Sequence, residues 1–395
     1  MLFPRAVHRL LQCLCVAARP LRVEELAEIL TLDFDRTKGA TPKIYENWRW
    51  KDPEQAVLFL CDTLIMVVDT GHSRVVQFSH ISVKQFLTSD RLARSPDRRI
   101  FRFHIDLEAA HTTLTQACLA TLLQFDGGSS NDQFERNFPL ARYASQYWVE
   151  HAQFEMVSLQ IEDGIRRLFD PTKPYFSAWL RLYNIDDHWN QFGNAWVARG
   201  SPLYYASLCG FRDLADSIIK GHPEQVNATG GRLHSPLAAA LCKGHFHVAE
   251  LLLQHGASVD VTDHNNQTLL QAASVDGRSE VARWLLERGA DPNSQQNDHV
   301  PPIHLATVNG HAGVIQTLLE HGVDIHSTDK DGRTALHLAS SSGKVEIVRL
   351  LLEHGANANL VDNDGCTPLR LTWTTEVERL LVDHDARSKE GPVLI

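Results

Sequence analysis

The chain has 395 residues, 43% of them hydrophobic, with 48 acidic against 38 basic side chains and a net charge of −10. That balance favours solubility and argues against a general nucleic-acid or anionic-membrane binder, which needs an excess of Lys and Arg. So long a chain exceeds one compact core unless part of it is a repeat array, so a globular first half and a repetitive second half are expected.

In chain order, Val7, Leu10, Leu11 and Leu14 lie at helical spacing and predict a helix over 7–18, stopped by Arg19-Pro20. Residues 23–30 predict a second amphipathic helix, and after a polar loop 53–64 predicts a third. Alternation over 64–68 and 74–78, around Asp69-Thr70-Gly71-His72, predicts a β-hairpin. Three helices followed by a hairpin make a winged helix, assigned to 1–103. A winged helix can read DNA through its third helix, which would make the protein a nuclear regulator. Here the segment from Glu54 to Asp62 carries two acids and no basic residue, and the wing offers Arg74 alone, so DNA reading is the weaker expectation. Arg91, Arg94, Arg98, Arg99 and Arg102 follow the hairpin and are expected on a solvated or domain-pairing face.

Residues 104–195 read as a helical linker domain. The stretches 111–125 and 138–157 are periodic in apolar residues, and Trp148, Trp179, Trp189 and Trp196 are expected to fill a core abutting the first repeat. The polar loop 126–132 is no phosphate cradle, because no Gly-Lys-Ser/Thr follows it.

From 196 to 388 a marker residue returns at Leu203, Leu237, Leu270, Ile303, Leu336 and Leu369, first after 34 residues and then every 33. A fixed period means stacked units, since one unit cannot bury its apolar face alone. A small residue recurs at Ala206, Ala240, Ala273, Ala306 and Ala339, where two helices must approach closely. Gly210, Gly244, Gly277, Gly310 and Gly343 are placed to end a first helix in a left-handed turn. Apolar clusters such as Leu251-Leu252-Leu253 and Trp284-Leu285-Leu286 predict a second helix, stopped at Gly256, Gly289, Gly322 and Gly355. The sixth unit has Thr372 in place of the small Ala and is three residues shorter than its neighbour, which predicts a cut-back first helix. Residues 389–395 are left as a tail.

These residues resemble the ankyrin repeat, about six copies with the last truncated. The expected fold is mainly α: an N-terminal winged-helix module and helical linker followed by an ankyrin-repeat α-solenoid. The resemblance implies that His304, His337, His255, His321 and His354 bond or pack between units, and no histidine pair has zinc-site spacing. It also implies that partners bind at the loop tips and at the ends of the first helices. On this chain the tips are Arg232 and His234; His264, Asn265 and Gln267; Asn297, Asp298 and Val300; Lys330, Asp331 and Arg333; and Asn363 and Asp364. The helix ends add Lys243, Asp276, Asn309, Ser341 and Ser342. Leu233 and His299 stand where the family usually has Gly, so those two loops are expected to bend differently.

A second resemblance runs through Pro4-Arg5-Ala6-Val7-His8, Ala17-Ala18-Arg19-Pro20-Leu21, Phe78-Ser79-His80-Ile81-Ser82 and Phe138-Pro139-Leu140-Ala141-Arg142-Tyr143. These segments are similar to the winged-helix region that follows the NACHT nucleotide-binding domain in fungal NOD-like (STAND) ankyrin proteins. The resemblance implies association with a NACHT-type protein, or a regulatory fragment of a NACHT NTPase encoded upstream. It also implies a setting in self/non-self recognition or in a secondary-metabolite gene cluster. This chain has no G-x-x-x-x-G-K-[ST] loop, G-x-S-x-G elbow or H-E-x-x-H pair, so a non-catalytic protein without cofactor or metal is expected.

Seven scattered cysteines (Cys13, Cys15, Cys61, Cys118, Cys209, Cys242, Cys366) without Cys-x-x-Cys spacing read as reduced thiols of a cytosolic or nuclear protein. The apolar run 10–18 is interrupted by Gln12, and 57–68 contains Asp62 and is too short to span a bilayer, so no membrane partner is expected.

Overall fold

A computed structural model describes residues 3–34, 41–45, 48–61, 63–125, 128–186, 200–263, 265–295 and 300–390. Contacts divide the chain into two compact units, 1–197 with 209–218, and 198–208 with 219–395.

In the first unit, α1 (Phe3–Val16) buries Leu10, Leu11, Cys13 and Cys15. Strand β1 (Leu21–Arg22) leads directly into α2 (Val23–Ile29), and a two-stranded ribbon follows, β2 (Leu32–Asp33) with β3 (Lys43–Ile44). Helix α3 (Pro53–Cys61) opens with the Asp52 carboxylate accepting from the Glu54 and Gln55 N–H groups. It stops short of the expected Leu64, because the Leu64 carbonyl accepts from the Ser79 N–H and joins the sheet. The hairpin is β4 (Ile65–Asp69) and β5 (Arg74–Phe78), turned at Gly71 (φ 80°), whose N–H bonds the Asp69 carboxylate at 2.7 Å. β1 adds to β5, giving the order β1-β5-β4 of a winged helix.

A buried ion cluster ties this sheet to its helices. The Glu25 carboxylate accepts from Arg19 at 2.7 Å, the Arg22 side chain at 3.0 Å and the Arg22 N–H at 2.8 Å. Burial pushes the Glu25 carboxyl up, but these donors outweigh it and hold the group below its ordinary value.

Short helices α4 (Ile81–Leu87), α5 (Asp90–Ala93) and α6 (Arg98–Phe101) lead to the linker pair α7 (Leu107–Leu122) and α9 (Ala141–Ala152), with α8 (Asn131–Asn137) between them. Small helices α10 (Val157–Gln160), α11 (Glu162–Leu168) and α12 (Tyr175–Leu182) complete the unit. Trp148 and Trp179 are fully buried edge to face, 5.3 Å between centroids, and the Trp179 indole N–H donates to the Ser145 carbonyl at 3.0 Å. Trp148 also stacks on Phe211 at 5.5 Å, which explains why 209–218 belongs to this unit. Trp189 and Trp196 lie outside the described residues. Beside this core, His151 bonds the Tyr143 hydroxyl at 2.8 Å and His111 at 3.0 Å, and burial drives the His151 pKa down to about 3.

The repeats are helix pairs: Pro202–Leu208 with Arg212–Gly221, Pro236–Cys242 with Phe246–Gln254, Leu269–Asp276 with Ser279–Glu287, Pro302–Asn309 with Ala312–Glu320, Ala335–Ser341 with Val345–Glu353, and Pro368–Leu371 with Thr375–Glu390. The five recurrent glycines take φ between 65° and 82°, the left-handed turn their spacing predicts. The last first helix is cut to a single turn, as its missing residues require, and the last helix runs to Glu390, past the expected boundary at 388.

Candidate protein-binding surface

Two rows of side-chain bonds join the first helices and loop tips of neighbouring repeats. The first row starts at the residue after the marker. Gln271 donates to the Val300 carbonyl at 2.9 Å, His304 to the Arg333 carbonyl at 2.8 Å and His337 to the Cys366 carbonyl at 3.1 Å. In the first repeat the Tyr204 hydroxyl accepts from the Leu233 N–H at 3.2 Å. These bonds fix a tautomer: with Nε2–H donating, Nδ1 must accept. For His337 that acceptor meets the Thr334 hydroxyl at 2.8 Å. For His304 it meets nothing, because Pro301 stands where Thr334 stands and carries no hydroxyl, so the buried Nδ1 has no partner. Burial lowers both histidine pKa values, opposed by the carbonyl each contacts and by nearby Asp329 and Asp362.

The second row caps the first helices, whose last carbonyls lack partners within the helix. Arg278 donates to the Cys242 carbonyl, His311 to Val275 at 2.9 Å, Lys344 to Thr307 at 2.8 Å and Trp373 to Ser341 at 2.9 Å. His245 lies beside the Leu208 carbonyl without reaching bonding geometry. By contrast the hydrogen bonds of His255, His321 and His354 stay within their own repeats. Each turns back onto the carbonyl four residues earlier in its own helix, at 2.8–2.9 Å, because the glycine after it ends that helix.

The tips are ordered by aspartates. Asp263 accepts from the Asn265 and Gln267 N–H groups, Asp329 from Asp331 and Arg333, and Asp362 from Asp364 and Cys366. Lys330, Asp331, Arg333 and Asn363 come together: Asn363 donates to the Lys330 carbonyl at 3.1 Å and to the Asp331 carbonyl at 3.0 Å, and Arg333 pairs with Asp331 at 3.7 Å. Arg232, Gln267 and Asp276 share a groove between the second and third repeats. Lys243, Asn309, Ser341, Ser342 and Asp364 are exposed at their expected places, and the Val300 carbonyl is taken up by Gln271. His264, Asn297 and Asp298 lie outside the described residues.

The loop at Leu233 does bend differently. Positive φ moves to Gly231 (73°) and His234 (71°), and a side chain at Gly231 would strike the Tyr204 ring. In the third repeat Asn266 fills the glycine position at φ 59°, which Asn tolerates. His299 lies outside the described residues. Val308 and Trp373, outside the set expected from the sequence, are exposed apolar side chains at the helix ends; Trp373 is 75% exposed although its N–H is fixed. Their signal is the fifth residue after the marker and the shortened sixth unit.

The wing's Arg74 is paired with Glu54 of α3. No group of His, Cys, Asp and Glu among the described residues could hold a metal, and no described helix is long and apolar enough to cross a membrane. Cys13, Cys15 and Cys118 are buried free thiols, and Cys209 is buried as well; burial pushes Cys13 up to about 12 and Cys15 to about 11.

Residues 200–296 and 302–389 match the family described as ankyrin repeats (3 copies). The second half of the chain is built of ankyrin repeats. Residues 2–97 match the winged helix domain of GPI inositol-deacylase. The chain is also similar to azaphilone pigments biosynthesis cluster protein L of Monascus ruber, 31% identical over 269 residues, which is 64% of this chain. It spans about half of that relative's length, 55%. Ankyrin repeats imply protein partners.

Proposed function

We propose that this chain is a non-catalytic docking protein that binds a protein partner on the tips and first-helix ends of its ankyrin repeats, in service of secondary-metabolite production. The observation that carries the reading is the double row of inter-repeat bonds, which holds exposed charged tips and the exposed Val308 and Trp373 in one fixed array. Preorganised loops lose little entropy on binding. Buried free thiols suit a reducing compartment, so a cytosolic or nuclear location belongs to the same proposal. A regulatory or sensing role alongside a NACHT-type protein is its finer form, tested by co-purification with a tagged NACHT protein.

The main test is a triple charge reversal, Lys330→Glu, Asp331→Lys and Arg333→Glu. Rim charges typically contribute up to about 1 kcal/mol each, so partner affinity should fall on the order of tenfold or more while the helical circular dichroism is unchanged. Unchanged partner recovery would place the surface elsewhere.

A further inference from the structure

The first row of bonds is broken at one place. The residue after the marker is Tyr204, Ala238, Gln271, His304 and His337 in successive repeats, and four of the five engage the following loop. Ala238 has only a methyl group. The carbonyl it would have met, that of Gln267, accepts from the Asp263 N–H at 2.9 Å and, among the described residues, from no side chain. Asp263 holds the same place as Asp329 and Asp362, whose charges act on His304 and His337. A vacated imidazole position is therefore faced by an acceptor with a spare lone pair and by a carboxylate.

The backbone opens at the same junction. Consecutive first helices pack closely in the pairs Pro202–Leu208 with Pro236–Cys242, Leu269–Asp276 with Pro302–Asn309, Pro302–Asn309 with Ala335–Ser341, and Ala335–Ser341 with Pro368–Leu371. Pro236–Cys242 and Leu269–Asp276 are the exception. Between them lies an open groove with apolar walls from Leu233, Leu241, Leu269 and Ala272, and with Ala238 and Gln267 at its lining. An apolar side chain seated there would leave the carbonyl unmet and forgo a hydrogen bond. A ring with an N–H and a capacity for positive charge meets the walls, the carbonyl and the carboxylate together.

We propose that this groove is a binding site for an imidazole ring, delivered by a histidine of the protein partner and seated where His304 and His337 sit at their own junctions. The partner's part in this rests on the docking function above; the pocket itself does not. Asp263 and the Gln267 carbonyl select the ring, while the Asp276 carboxylate at the same groove is already paired with Arg278 at 3.5 Å.

The test uses the full chain and the probe N-acetyl-histidine methylamide, with N-acetyl-leucine methylamide as control, followed by amide chemical shifts. Saturable shifts are expected at Ala238, Gln267 and Ala272 with a millimolar dissociation constant, and the leucine compound should bind about tenfold more weakly for lack of the donor. Ala238→His should close the row, raise the melting temperature of the repeats and abolish the saturable shifts. Ala238→Leu, which fills the groove without a donor, should abolish them without closing the row. Absence of saturation in the native chain, shifts at other residues, or equal shifts in Ala238→His would overturn the proposal. Because the charge reversal at Lys330, Asp331 and Arg333 leaves this groove intact, failure of the imidazole site and failure of the docking function are separately visible.

Discussion

The two halves of the protein use hydrogen bonds of very different reach. In the winged-helix and linker unit the Ala18 N–H reaches the Tyr143 hydroxyl across 125 residues, and Arg22 reaches the Pro139 carbonyl across 117. In the repeats Gln271, His304 and His337 each reach a carbonyl 29 residues on. The first pattern closes one core that forms as a whole; the second adds one junction at a time, so stability is approximately a sum of neighbouring terms. Damage should therefore spread in the first unit and stay local in the second.

The strongest way to break that contrast is Trp179→Ala. It empties the centre of the linker core, with an expected loss of about 3–5 kcal/mol, and hydrogen exchange should then rise across α1, α7 and α9 together. Protection lost around α12 alone would show that the unit is not cooperative. Acid comes next. His151 is neutral in the folded state with a pKa of about 3, against an ordinary value of 6.5. Its stabilising effect is complete above pH 6.5 and is lost as the pH falls toward 3, because the unfolded chain takes up the proton first. At pH 5 the loss is about 2 kcal/mol, and His151→Gln should flatten the pH dependence of the melting temperature in that window. The smallest effect is a gain. Pro301→Thr supplies the hydroxyl that His304 Nδ1 lacks and should stabilise the repeats by about 1 kcal/mol, read as a higher denaturant midpoint at unchanged slope. No gain would mean that the orphaned nitrogen is already satisfied.

The repeat architecture was legible because spacing is a property of sequence. Counting alone foretold the left-handed glycines and the single-turn helix Pro368–Leu371. The wing was legible from alternation around Gly71, whereas β1, two residues long, is too short to leave a period and shows itself only through its pairing with β5. The second row of bonds was invisible for a different reason. Arg278, His311, Lys344 and Trp373 share a task but no chemistry beyond a donor, so nothing in residue identity marks them as equivalent. His255, His321 and His354 recur in phase, which predicts bonds or packing between repeats, yet each hydrogen-bonds within its own helix. Phase places a residue on its helix without saying which way its ring turns.

The single-methyl side chain of Ala238 has a mechanical consequence. Between the third and fourth, fourth and fifth, and fifth and sixth repeats a bond at the start of the first helix and another at its end act as two staples, and the helices lie against each other. Between the second and third, Arg278 is the one staple in these two rows and the helices stand apart. Arg288 also pairs with Glu250 across this junction at 2.9 Å, so it is the wider spacing of the first helices, not a lack of bonds, that makes it the place where the stack bends most easily. A ligand that wedges there would set the curvature of every repeat beyond it.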